Sequence, residues 1–280
     1  MYIKLALLLL ITGVLSAKKS DSVALSYEFL DFKNSLQKNV GQRMTLDLQK
    51  RVDNSALSLV YERTDTKTYQ PPLKDNLRVD KFYTKIVHKF KDNNYFHLGY
   101  IYIDDNIVPS DGTRVYSLGY EKALEDTLHF GVSYYYGDFN VLKTNQYVVD
   151  AKYKLFYKDI SILLFAKVNK LSIKKCQSSF CQNAQQNYTF SVLKSNIFYK
   201  KYFFSTAIVI GKRVFSVMKD GFSCSHHAME FNRTYMFGVG KRFNSFELKI
   251  GYNYLKATEL PLNNSDVKIE DLLFLVRYFF

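Results

Sequence analysis

The chain has 280 residues, a formal net charge of +13, 47 % hydrophobic and 16 % aromatic residues, with 23 Tyr, 23 Phe and no Trp. That apolar and aromatic content excludes an intrinsically disordered chain. Apart from one N-terminal run, no stretch approaches the roughly 20 apolar residues of a spanning helix, and period-two patterning outweighs any helical period.

The N-terminus reads "MYIKLALLLLITGVLSAKKSDS": Lys4, an apolar run from Leu5 to Leu15, then small residues before Lys18 and Lys19. These are the charged start, apolar core and cleavage region of a signal peptide. We expect cleavage after Ser16 or Ala17, so that 1–17 is the leader and 18–280 a single domain. The run is shorter than a membrane anchor requires, and no Cys near the cleavage region points to a lipoprotein.

From Val23 onward apolar residues recur at every second position, which puts them on one face of a strand. Val23, Leu25, Tyr27 and Phe29 alternate with Ala24, Ser26 and Glu28; Met44–Leu48 and Leu57–Tyr61 follow the same scheme. Phe82, Ile86 and Phe90 oppose Lys81, Lys85 and Lys89, and further segments begin near Phe96, Tyr116, Leu128, Tyr147 and Ile160. The stretch 187–199 is ambiguous, because Lys194 and Asn196 share the parity of Tyr188, Phe190 and Val192; a bulge would reset it. Segments near Tyr202, Phe231 and Phe246 precede a last one in which Leu272, Phe274, Val276, Tyr278 and Phe280 share a face. The count is fourteen, with 12–16 the range the pattern allows.

The connections alternate in length. Short turns are expected at 52–54, 91–94, 123–126, 158–159, 200–201 and 243–245, with longer polar loops at 34–41, 64–76, 104–111, 138–145, 172–186, 216–227 and 256–267. A soluble sandwich would bury its apolar face against a second sheet and would not sort its turns this way. Long loops at one end and short turns at the other belong to transmembrane barrels.

With a cleaved leader, alternating strands and a terminal Phe280 in "LLFLVRYFF", the chain resembles the Gram-negative outer-membrane β-barrel proteins, porin-like, with no subfamily identified. The resemblance covers 18–280. It implies an all-β, antiparallel up-and-down barrel in the cell outer membrane, contacting outer-membrane lipid. It also implies that Phe274, Val276, Tyr278 and Phe280 mark the closing strand, which the barrel-assembly machinery reads. Without Trp, Tyr and Phe must fill the aromatic girdle.

Function then rests on the other face of the strands. Glu28, Asp47 and Glu62, joined by Glu247 and Asp271, are expected in the lumen near the seam, with Lys81, Lys85, Lys89, Lys152, Lys154 and Lys167 opposite or beside them. Opposed charges across a constriction screen solutes, and the positive balance (+12 once Lys4 leaves with the leader) favours anions. The expected work is passive passage of small polar solutes, without cofactor or nucleic acid. The alternative is a closed or plugged barrel with a structural or surface role, and an inward-folded 172–186 loop would favour it. Cys176 and Cys181 bracket "CQSSFC", a candidate local disulfide; a metal site joining them to Cys224, His226 and His227 has no defensible spacing. A hydrolase is disfavoured: His129 and Ser133 share a face but stand about 13 Å apart along one strand, beyond the reach of a nucleophile and base.

Overall fold

Strands with one apolar face must bury or solvate that face in lipid, and in lipid no strand edge can be left unpaired. The computed structural model describes residues 21–69, 75–106, 110–125, 127–174, 176, 183–225 and 229–280. The expected leader, 1–17, lies outside the described residues. The strands are β1 (Ser22–Lys33), β2 (Lys38–Val52), β3 (Ser55–Thr68), β4 (Leu77–Lys89), β5 (Asn94–Asp105), β6 (Thr113–Leu124), β7 (Leu128–Asp138) and β8 (Lys143–Tyr157). There follow β9 (Ile160–Lys174), β10 (Asn187–Tyr199), β11 (Tyr202–Arg213), β12 (Val217–Met218), β13 (Ser223–Cys224), β14 (Met229–Arg242), β15 (Phe246–Glu259) and β16 (Asn264–Phe279). Each long strand pairs antiparallel with its sequence neighbours, β11 pairs with β14, and β16 returns to β1, so fourteen strands close the barrel. The two-residue strands β12 and β13 form a separate hairpin.

Closure is continuous. β1 and β16 register from Ser22↔Phe279 to Lys33↔Lys268, and the Phe280 amide donates to the Asp21 carbonyl at 3.0 Å. Tyr278 packs edge-to-face on Phe280 and tilted against Phe246, with centroids 5.0 and 4.9 Å apart. The short turns hold non-glycine residues at positive φ, including Asp53, Asp92, Asn93, Lys158 and Lys200, as tight hairpins require. The loops between β1 and β2 and between β15 and β16 are shorter than expected, because β2 starts at Lys38 and β15 and β16 meet across only 260–263.

The outward face is apolar: Leu25, Val149 and Phe237 are 55, 62 and 56 % exposed. At the turn end Tyr157, Tyr199 and Tyr202 carry Lys158, Lys200 and Lys241 over their rings, a girdle made without Trp.

The inward face divides in two. Towards the loop end, Tyr83, Ile101, Ile103, Val115, Leu171, Tyr188, Phe190 and Val209 are buried in one cluster. The 187–199 ambiguity resolves here. β9 and β10 pair without a register shift from Asn187↔Ser172 to Tyr199↔Ile160, so no bulge intervenes. Tyr188 and Phe190 point inward because the interior has something apolar to meet.

Candidate functional site

What they meet is the segment between β11 and β14. At Gly211 the backbone takes φ +106, the β11–β14 register shifts between Ile210 and Arg213, and the chain turns inward. Val214, Phe215 and Val217 are almost fully buried, and Phe215 stacks edge-on against Phe139 with centroids 5.2 Å apart. Phe215 itself lies at φ 50, an outlier for a bulky side chain that only surrounding structure sustains. Of the 172–186 loop, whose inward folding would favour a closed barrel, only part is described, and its Cys176 and Ala184 pack against the buried cluster; 214–225 is seated in the lumen, its apolar side chains completing that cluster.

Polar contacts fix the hairpin. The buried Gln146 side chain accepts from the Val217 amide and donates to the Val217 carbonyl, both at 2.8 Å, and also donates to Asn169 at 3.0 Å. The tip residues Lys219, Asp220 and Gly221 all have positive φ. Asp220 is gripped twice: Lys85 Nζ donates to its carbonyl at 2.8 Å, and Lys167 pairs with its carboxylate. Two lysines expected in the lumen therefore meet on one acid that the sequence reading did not single out.

The other expected residues fall into separate pairs. Arg43 bonds Glu28 at 2.6 Å and approaches Glu62 at 3.7 Å, while Lys81 bonds Glu62 at 2.7 Å. Register makes this ladder, since Arg43 stands beside Glu28 and Lys81 beside Glu62 on adjacent strands. Asp47 pairs with Arg277 at 2.9 Å. Both flank Ala24 in the register, whose small side chain lets the arginine reach across the seam strand. Asp271 accepts from Asn253 at 2.8 Å, and Lys152 pairs with Glu121, which also meets His129 at 2.7 Å. Glu247 pairs with Arg242 near the turn end, and Lys89 and Lys154 lie over Tyr95 and Phe156 there. Arg43 shares the polar parity of Thr45, Asp47 and Gln49, and Arg277 that of Asp271; periodicity does not supply the register that brings each to its acid.

The hairpin leaves a cavity of about 420 Å³ on one side, walled by Phe165, Val192, Phe222, Leu273, Thr45 and Asn253 among others. A smaller space of about 170 Å³ lies on its other side, and Met218 and Lys219 border both.

Cys176 is disulfide-bonded; its expected partner Cys181 lies outside the described residues. Cys224 is buried on β13, and burial pushes its thiol up to about 12. His226 and His227 also lie outside, and among the described residues no group of three His, Cys, Asp or Glu could hold a metal. Ser133 meets His97, not His129, at 3.3 Å. Residues 97, 119 and 133 are aligned across β5, β6 and β7, a cross-strand contact invisible along one strand. His97 Nδ1 is buried without a partner among the described residues, so no acid orients it as a triad would.

No protein-family profile matches the chain, and no curated protein matches it either. Solved structures do. A bacterial polysaccharide outer membrane secretin aligns at TM-score 0.57 and 8 % identity, over 95 % of this chain and 100 % of that one. The CymD monoaromatic hydrocarbon channel aligns at 0.56 and 9 %, over 94 and 89 %. The Acinetobacter baumannii outer membrane protein Omp33 aligns at 0.52 and 11 %, over 94 and 99 %. Identities this low speak to architecture alone: the chain has the fold of the outer-membrane β-barrels, closed at fourteen strands.

Proposed function

We propose that this chain is an outer-membrane pore for small polar solutes, constricted by the β12–β13 hairpin and preferring anions. One observation carries the reading: a closed barrel with an apolar outer face has a charged lumen into which one hairpin folds and is latched. The leader exports the chain, outer-membrane lipid covers the apolar band, and the assembly machinery reads the strand ending at Phe280. A second reading is supported by the buried cluster around Phe215 and Val217: the resting barrel is closed and opens only when the hairpin leaves. Liposome swelling with the purified mature protein separates them. Uptake of small sugars and faster uptake of small organic anions fits the open pore. Swelling only after the hairpin is shortened fits the closed one, and no swelling in either form from a folded barrel rejects transport.

A further inference from the structure

Charge bookkeeping inside the 420 Å³ cavity leaves a remainder. Its lining holds four carboxylates, Glu28, Asp47, Glu62 and Asp220, and four lysines, Lys167, Lys194, Lys219 and Lys249. Every one of those acids has a cation of its own: Glu28 has Arg43, Glu62 has Lys81, Asp47 has Arg277 and Asp220 has Lys167. Three of those four cations stand outside the cavity's lining. Lys194, Lys219 and Lys249 are left without a carboxylate within ion-pair distance among the described residues. Glu28 and Glu62 feel the Lys219 charge at longer range, and Glu247 feels Lys249. All three lysines border this one cavity, where like charges repel.

Three like charges converge from β10, the hairpin tip and β15, and the fold holds them there. A methyl group at Gly238 would come within 2.6 Å of Lys249 Cε, so the glycine is the floor on which that side chain lies. Lys219 sits at φ 50 in a tip latched by Asp220. Ammonium groups so placed repel one another until an anion sits among them, and walls of low polarity strengthen the attraction.

We infer that Lys194, Lys219 and Lys249 form a binding site for a multivalent oxyanion, a phosphate or polycarboxylate, between the hairpin and the β10–β15 wall. The inference rests on the pore reading only for its purpose; the site exists whether or not the barrel conducts. Occupancy would bridge hairpin to wall, so a bound anion would hold the constriction seated. Because ammonium groups bind oxyanions as point charges without fork geometry, phosphate and polycarboxylate share the site.

Isothermal titration calorimetry on the purified mature barrel in detergent tests this with inorganic phosphate, citrate and, as monovalent control, chloride. We expect saturable one-to-one binding of phosphate and citrate that weakens with added salt, and chloride without a saturating isotherm. Lys194→Gln and Lys249→Gln should each weaken phosphate at least about fivefold, as loss of one partly screened charge contact does. Lys154→Gln at the turn end should leave it unchanged. Citrate bound while phosphate is not would assign the site to polycarboxylates, and the reverse to phosphate. Absent binding in a barrel that migrates as folded on unheated gels overturns the proposal, as does binding indifferent to both lysine variants. Binding without conductance keeps the site and rejects the pore.

Discussion

Gln146→Leu should loosen the hairpin without unfolding the barrel. The side chain is buried and makes two 2.8 Å hydrogen bonds to the backbone of Val217. Leucine fills much of the same volume and leaves that amide and carbonyl buried and unmet, at about 1–3 kcal/mol each. The seated state is thereby weakened by about 2 kcal/mol at least, which is about 30-fold in the balance between seated and released hairpin. Release stays the minor state, because Val214, Phe215, Val217 and Cys224 remain buried, and a fully buried large side chain is worth about 1.5–3 kcal/mol. Single-channel recording should therefore show the same main level as the parent, with larger openings about 30-fold more frequent. Opening frequency equal to the parent's, in a barrel of unchanged heat-modifiable migration, would refute the claim that this residue holds the constriction.

Further outcomes follow from the pairings. Glu62→Gln leaves Lys81, only 3 % exposed, without its carboxylate, and should cost about 3 kcal/mol in urea unfolding. Glu62→Gln with Lys81→Met should recover most of that, and simple additivity of the two singles would sink the pairing argument. Gly211→Ala must adopt φ +106 and bring its methyl within 2.6 Å of the Thr189 carbonyl; we expect at least about 1 kcal/mol of destabilisation, read as a lower heat-modifiability temperature. Deleting Phe280 removes the 3.0 Å bond to Asp21 and the ring contact with Tyr278, and should lower that temperature slightly, the ring pair alone being worth about 0.5–1.5 kcal/mol. Cys224 should resist iodoacetamide at pH 9 in the folded barrel and react in urea. Its thiol is held neutral until about pH 12, so its contribution to stability is full below the unfolded value near 9 and fades between 9 and 12. Rapid modification of the native protein would show the hairpin to be unseated.

The barrel was legible because period two marks a strand with one face in an apolar medium, and all fourteen long strands fall where that period runs. The terminal aromatic alternation likewise placed Phe274, Val276 and Tyr278 on the outward face, where they are exposed. The insert was not legible from its own residues, "RVFSVMKDGFSC", which read as a polar loop with scattered apolar positions. Its trace lay elsewhere: Ile101, Ile103, Tyr135, Tyr188 and Phe190 are apolar on the parity that should have been polar. A lumen wall is apolar only where something apolar packs on it, so such runs near the long loops were the signal. The 187–199 ambiguity, for which a bulge stood as one resolution, was that signal. Cross-strand partners such as Arg43 for Glu28, Arg277 for Asp47 and His97 for Ser133 needed the register, which periodicity does not supply.

The most direct test of the central claim is the conductance and reversal potential of the purified mature barrel in a planar bilayer under a potassium chloride gradient. The account predicts steady, small openings with a reversal potential on the chloride side. A cation-sided potential would contradict the anion preference drawn from the chain's positive balance, and silence from a folded barrel would contradict the pore itself.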